Sequence, residues 1–510
     1  MNVPFLKRTL LAQAMHYLYK PFFSHDTLKK YRLMMLTGAL GIITQPTLAA
    51  SFPAPGQSVT YTSADNLING ATEAPLILNN EPTPTVLNID GTELAVQNFV
   101  NGTVIQSEGS ILNINMLDNL SAINFSNNNI TNGNVMFVRN SNVTIGNKAI
   151  FTNNTSTDGS SQSVGGVIAS FFTTMTIGSE AIFDGNTATG EGSGGIFNFS
   201  GSLTLGNNAR FTNNSTEQYG GAIYISSAAG PAEVTIGSGA QFLNNRATEY
   251  GGAIYNRGSD INFNLDSNTT TLFENNQDEW GKNSIAFGFD APARVTTQTG
   301  LSNDSNTALL DMRDPMRAVN NSDDIIITKN DGGVWALGGT NNLSGSTQFF
   351  VNAGTLYLYA QDETLISLGA LDSSAAIPEP TMSAGVLNLN STTGIANFTL
   401  ASNAALAAGG TNAINLGAGN IVIGDNATIR GGSQSRSLGG STPRNELGGN
   451  TSLTLTSDNN TQLQGLVNLQ ALEARDAFTL NANLVDAPNA VGRVVSSGLG
   501  QVILTGNNTY

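Results

Sequence analysis

The sequence predicts an all-β chain, a right-handed parallel β-helix with protruding loops. Three observations predict it. Phenylalanines 151, 183, 211, 242 and 273 recur at intervals of 32, 28, 31 and 31 residues, and periods of this size mark stacked supersecondary units. The segments between them alternate apolar and polar residues over three to five positions and are β-branched, which is strand and not helix patterning. Gly and Asn separate the segments, and both tolerate the positive φ of tight corners. A four-residue strand cannot bury its own apolar face. Piling equivalent strands from successive turns about 4.8 Å apart buries a continuous column and pairs every internal backbone group.

The N-terminus is read separately. Residues 1–32 carry Lys7, Arg8, Lys20, Lys29, Lys30 and Arg32 against Asp26 alone. An apolar run from Leu33 to Ile43 follows, then Thr47-Leu48-Ala49-Ala50. A basic region, an apolar run too short for a bilayer and a small-residue site predict a secretory signal peptide over 1–50, cleaved after Ala49 or Ala50. Without those residues the formal charge moves from −16 to −21. Both histidines, His16 and His25, also leave with the leader.

These counts limit the chemistry. Charged residues make up 11% of the chain, against about a quarter in ordinary globular proteins. There is no Cys, so a disulfide scaffold, a thiol nucleophile and a Cys/His zinc site are all excluded. A Ser–His–Asp triad lacks its imidazole once the leader is removed. The acidic charge repels phosphate backbones, so nucleic acid is not an expected partner. No calcium loop of the Asp-x-Asp-x-Asp-Gly type and no cofactor motif appears, so neither metal nor cofactor is expected.

Residues 51–300 hold the repeat. Val143-Thr144-Ile145-Gly146 leads to Phe151 and Asn154, Met175-Thr176-Ile177-Gly178 to Phe183 and Asn186, Leu203-Thr204-Leu205-Gly206 to Phe211 and Asn214, and Val234-Thr235-Ile236-Gly237 to Phe242 and Asn245. A weaker fifth copy runs from Phe263-Asn264-Leu265 to Phe273 and Asn276, and Phe125-Ser126-Asn127-Asn128 is an earlier half copy. A glycine pair with an apolar residue follows four of them: Gly165-Gly166-Val167, Gly194-Gly195-Ile196, Gly220-Gly221-Ala222-Ile223 and Gly251-Gly252-Ala253-Ile254. The fifth departs, with Trp280-Gly281-Lys282-Asn283-Ser284-Ile285. The Asn positions are expected to form structural ladders in which a side-chain amide bonds the next coil.

Gly-Gly-Ala-Ile alternating with Phe-x-x-Asn resembles the polymorphic outer-membrane protein repeat of bacterial autotransporter passenger domains, over about residues 120–290. A second frame, Gly333-Val334-Trp335-Ala336-Leu337-Gly338-Gly339-Thr340-Asn341-Asn342 and again from Gly500 to Tyr510, is similar to the autotransporter-associated β-strand repeat. Residues 301–510 are accordingly expected to continue the β-helix and to break off inside a repeat. Leu371–Ala384 and Arg430–Asn450 are expected as excursions. About 25 residues per coil predicts roughly 18 turns.

The resemblance implies an exported passenger at the cell surface or outer membrane, or secreted. It would be an adhesin-like protein that binds host cells, extracellular matrix or other bacteria without catalysis. Outer-membrane attachment would require a C-terminal barrel beyond residue 510, so a truncated fragment of a longer autotransporter is a further alternative. The rival class is a β-helical polysaccharide hydrolase or lyase. Its acids would be Asp311 with Asp314, or Asp323 with Asp324, since two carboxylates suffice for glycoside cleavage, and Lys282 or Arg257 would be conceivable lyase bases. Against this, both acid pairs also read as turn residues on a solvated surface. Trp280 and Trp335 read as packing residues in preference to sugar platforms.

Overall fold

The computed structural model describes most of residues 58–510; the longest stretches left out inside that span are 158–165, 360–384 and 432–451. The predicted signal peptide and most of both expected excursions therefore lie outside the described residues. Everything described is strand, turn or irregular, with no helix.

The chain is a right-handed parallel β-helix. Three parallel sheets of 15 strands each run the length of the rod. Each coil contributes one strand to each sheet, as Met136–Arg139, Asn142–Ile145 and Ala149–Thr152 show. These strands belong to what we call the third, first and second faces. Between residues 129 and 282 a fourth, seven-strand sheet is inserted after the second face. The three long sheets pass residue 300 without a break, because Ala293–Thr299 pairs with both Asp260–Leu265 and Ile325–Lys329. Fifteen strands per sheet give a rod about 70 Å long at about 4.8 Å per coil, shorter than the roughly 18 turns expected. Strands occupy only part of each coil; connecting loops set its length, and in the repeat region they bring it near 31 residues.

The bore is filled by columns of like residues. On the second face the register aligns Phe125, Phe151, Phe183, Phe211, Phe242 and Phe273. Their rings lie flat on one another, with centroids 4.7, 4.6, 4.6, 5.1 and 4.5 Å apart and interplanar angles of 3° to 7°. None is exposed. The half copy at Phe125 is thus a full member of the column. On the third face Met136, Ile168, Ile196, Ile223, Ile254 and Ile285 align in the same way.

That alignment corrects the spacing read from sequence in two places. Ile196 pairs with Ile223, so Gly194 stands opposite Gly221 and Ser193 takes the place of Gly220. In the fifth copy Val234 and Ile236 pair with Ile261 and Phe263, so the repeat strand is Ile261-Asn262-Phe263 and not Phe263-Asn264-Leu265. The loop before Phe273 is longer there, and spacing counted back from the Phe slips by two.

The first glycine of the pair has a backbone reason. Gly220 and Gly251 have φ of +64° and +76°, and a Cβ on Gly251 would lie 2.5 Å from the Ile254 carbonyl oxygen. The two copies of the second frame, from Gly333 and from Gly500, do not occupy equivalent places: Val334–Gly338 is a second-face strand, whereas Gln501–Leu504 is a third-face strand.

Candidate functional site

Each Phe-x-x-Asn unit divides its work between the last two residues. Asn153, Asn213, Asn244 and Asn275, with Gly185 in the second copy, take positive φ between 53° and 63° and turn the chain. The following Asn points inward and is completely buried: Asn128, Asn154, Asn186, Asn214, Asn245 and Asn276. Taking Asn214 as the example, its Oδ1 accepts from the Asn186 amide N–H at 3.2 Å and from Asn186 Nδ2 at 2.9 Å. Its own Nδ2 donates to Asn245 Oδ1 at 2.9 Å and back to the Phe183 carbonyl at 2.9 Å. Every polar atom of the side chain is paired, as burial demands. The same four contacts recur at Asn154, Asn186 and Asn245.

The ladder ends on a carboxylate. Asp314 Oδ2 accepts from Asn276 N–H at 2.7 Å and Asn276 Nδ2 at 2.9 Å, and its Oδ1 accepts from Asn275 N–H at 3.1 Å. Burial pushes the Asp314 pKa up to about 6, with the Asn276 donors and the Lys282 charge pulling the other way. A raised folded-state pKa means that the stabilising contribution is complete below about pH 4 and is lost as pH rises through about 6. Asp314→Asn keeps the acceptor that serves Asn276, gives up the one that meets the Asn275 N–H, a cost that is the same at every pH, and removes the buried charge. Relative to wild type it should gain about 2 kcal/mol between pH 4.5 and pH 8, read from chemical denaturation at both pH values. A variant whose stability follows the wild type across that range contradicts this account.

Asp311 is also buried, not on a solvated surface as the turn reading had it. Its Oδ1 accepts from Tyr359 Oη at 2.6 Å and its Oδ2 from Arg313 Nε at 3.0 Å, while Arg313 Nη1 reaches Glu274 Oε1 at 2.6 Å. Burial outweighs these donors and raises its pKa, and it raises that of Tyr359 well above the usual phenol value. Both acids of this pair are therefore engaged as structural acceptors. Asp324 is exposed at the start of a first-face strand, and Asp323 lies outside the described residues. Lys282 is exposed, Arg257 is half-buried, and neither is among the hydrogen-bond or ion partners of Asp311. Lys329, which the sequence did not single out, is completely buried in the bore and donates to Asp331 Oδ2 and its carbonyl at 2.8 Å each.

The comparisons fall on the coils that hold Phe211 and Phe242. Residues 208–226 and 239–257 match the model of the Chlamydia polymorphic membrane protein repeat. The chain carries this repeat twice. No curated protein and no solved structure matches it. The repeat is that of a surface-exposed protein family, and the coils that carry it are coarsely those of a cell-surface protein. Both matched segments contain a full Gly-Gly-Ala-Ile and a full Phe-x-x-Asn. In both, the motif residues face the bore or the corners, so the repeat signature is a folding device and does not draw on the outward positions.

Sequence reasoning missed what lies outside the third face. Phe137, Phe171, Phe197, Phe199, Tyr224 and Tyr255 project away from the bore and form a second buried cluster, at most 8% exposed. Tyr219 and Tyr250 pack on it from the adjoining turns. The signal was present in the residue after three of the third-face isoleucines: Phe197 after Ile196, Tyr224 after Ile223 and Tyr255 after Ile254. Of the two tryptophans, Trp335 packs completely buried against Phe349, whereas Trp280 is 64% exposed and is not a packing residue.

Proposed function

We propose that this chain is an adhesin-like passenger domain, exported to the bacterial surface, that binds host cells, extracellular matrix or other bacteria and performs no catalysis. One observation carries the reading. The residues of the repeat are spent inside a rod whose three sheets continue for 15 strands, so the repeat builds a long scaffold and its outer faces are free to vary. Such faces suit many weak contacts that add through multivalency. Supporting this, Asp311 and Asp314, one of the two acid pairs open to a hydrolase, are buried and occupied by Tyr359, Arg313, Asn275 and Asn276.

Purified protein added to cultured host cells, to immobilised matrix and to bacterial cells should bind at least one of them saturably. Absence of saturable binding to all three overturns the adhesin reading.

A further inference from the structure

One inward column of the first face changes character part-way along the rod. It reads Phe263, Thr297, Lys329, Val351, Leu400 and Ile423 in successive coils. An amine therefore occupies a place that the next three coils fill with aliphatic side chains. Lys329, Thr297 and Asp331 are all completely buried. Lys329 Nζ lies 2.8 Å from Asp331 Oδ2, and one C–O bond length leaves it no more than about 4 Å from the carboxyl carbon. The same carboxyl group accepts from the Gly333 N–H on Oδ1 at 2.8 Å and from the Thr297 hydroxyl on Oδ2.

A buried ion pair is poor value as a source of stability, because desolvating both charges costs about as much as their attraction returns. It is a good starting point for condensation. In water an amine and a carboxylic acid do not condense readily, since hydrated ammonium and carboxylate are the stable forms. The bore withholds that hydration and brings the neutral amine and neutral acid within reach. Lys329 and Asp331 are also tethered two residues apart and held together by the fold, an arrangement that can supply effective molarities of about 10⁵ M or more.

We propose that Lys329 and Asp331 join through an amide bond between Nζ and the Asp331 carboxyl carbon, formed by the folded chain itself. The ammonium first gives a proton to Oδ2. Nζ then attacks the carboxyl carbon, and the Gly333 N–H holds the charge that develops on Oδ1. A second proton passes from the nitrogen to Oδ2 through the Thr297 hydroxyl, the C–Oδ2 bond breaks and one water leaves. One C–N bond forms, one C–O bond breaks, and nothing is oxidised or reduced. Both charges disappear from the bore, and the end of the strand Ile325–Lys329 is tied to the corner that follows it. The bond is independent of whatever the rod binds.

Tryptic mapping of the denatured wild-type protein by tandem mass spectrometry tests this. The next Lys or Arg after Lys329 is Arg430, and Arg317 precedes it. The joined chain should yield an uninterrupted peptide from Ala318 to Arg430, lighter than its sequence by one water, with fragment ions linking Lys329 to Asp331. Lys329→Met should keep the full sequence mass. Asp331→Asn should lose one ammonia in place of one water, and Thr297→Val should join about a hundredfold more slowly, leaving freshly made protein largely unjoined. A wild-type peptide of full sequence mass overturns the bond. So does a loss of water that persists in Lys329→Met or leaves the chain cleavable after Lys329, because Asp331 would then have closed on the Gly332 nitrogen as a succinimide. Equal joining in freshly made wild type and Thr297→Val overturns the part given to Thr297.

Discussion

Asn214→Ala is expected to cost about 4 kcal/mol or more, the largest single effect of any repeat substitution. The change orphans two buried donors at once, the Asn186 amide N–H and one hydrogen of Asn186 Nδ2, both of which end on Asn214 Oδ1. It also takes a donor from the Phe183 carbonyl and from Asn245 Oδ1. Each buried group left unmade costs roughly 1–3 kcal/mol, and a backbone corner offers no alternative partner. Asn214→Asp tests the direction of the ladder. A carboxylate there can still accept from Asn186, but it turns an acceptor toward the Phe183 carbonyl and the Asn245 oxygen, where a donor is required. It should therefore be at least as damaging above neutral pH, although the same residue type is accommodated at position 314, where the ladder stops. Guanidinium denaturation followed by circular dichroism gives the comparison. An Asn214→Ala protein within about 1 kcal/mol of wild type contradicts the ladder as a source of stability.

Phe211→Ala is the second large effect, at about 3–5 kcal/mol. Phe211 has a ring on each side, 4.6 Å to Phe183 and 5.1 Å to Phe242. It is fully buried, so truncation leaves a cavity bounded by two flat surfaces that cannot close without shortening the coil spacing set by the strand hydrogen bonds. Phe211→Leu should recover about half the loss by refilling volume without restoring the stack. Because each coil contacts only its neighbours, amide exchange should quicken chiefly in the coils holding Phe183, Phe211 and Phe242. Uniform quickening along the whole rod is the contrary result.

The bore was largely readable from the sequence because inward positions are under the strictest constraint. Only a flat ring stacks at the coil spacing, and only an amide can both accept from one coil and donate to the next, so Phe and Asn recur where Leu and Gln do not. Glycine reading was less accurate: Ser193 fills a place that Gly220 and Gly251 occupy, and spacing alone slipped by one residue there. The outward surface was hardly readable. Asp314 closes the ladder from a coil that lacks the repeat Phe, since Met312 pairs with Phe273, and nothing in its local sequence announces the role. Likewise, the burial of Asp311 depends on Tyr359, 48 residues away. That Trp280 is exposed while Trp335 is buried follows from a hairpin inserted where the glycine pair is lost, and composition does not distinguish the two.

The stacking of parallel coils also sets how the molecule behaves as a tether. Every coil is held to the next by strand hydrogen bonds that run along the axis, so tension applied lengthwise loads the bonds of the terminal coil first and peels it away. The coil between Phe211 and Phe242 holds 31 residues, which extend to about 100 Å when drawn out, while the rod shortens by only about 4.8 Å. On the adhesin reading proposed above, a cell held by this protein would gain slack of some twenty times the length surrendered, one increment per yielded coil, so that the linkage would lengthen before its far contact was torn loose.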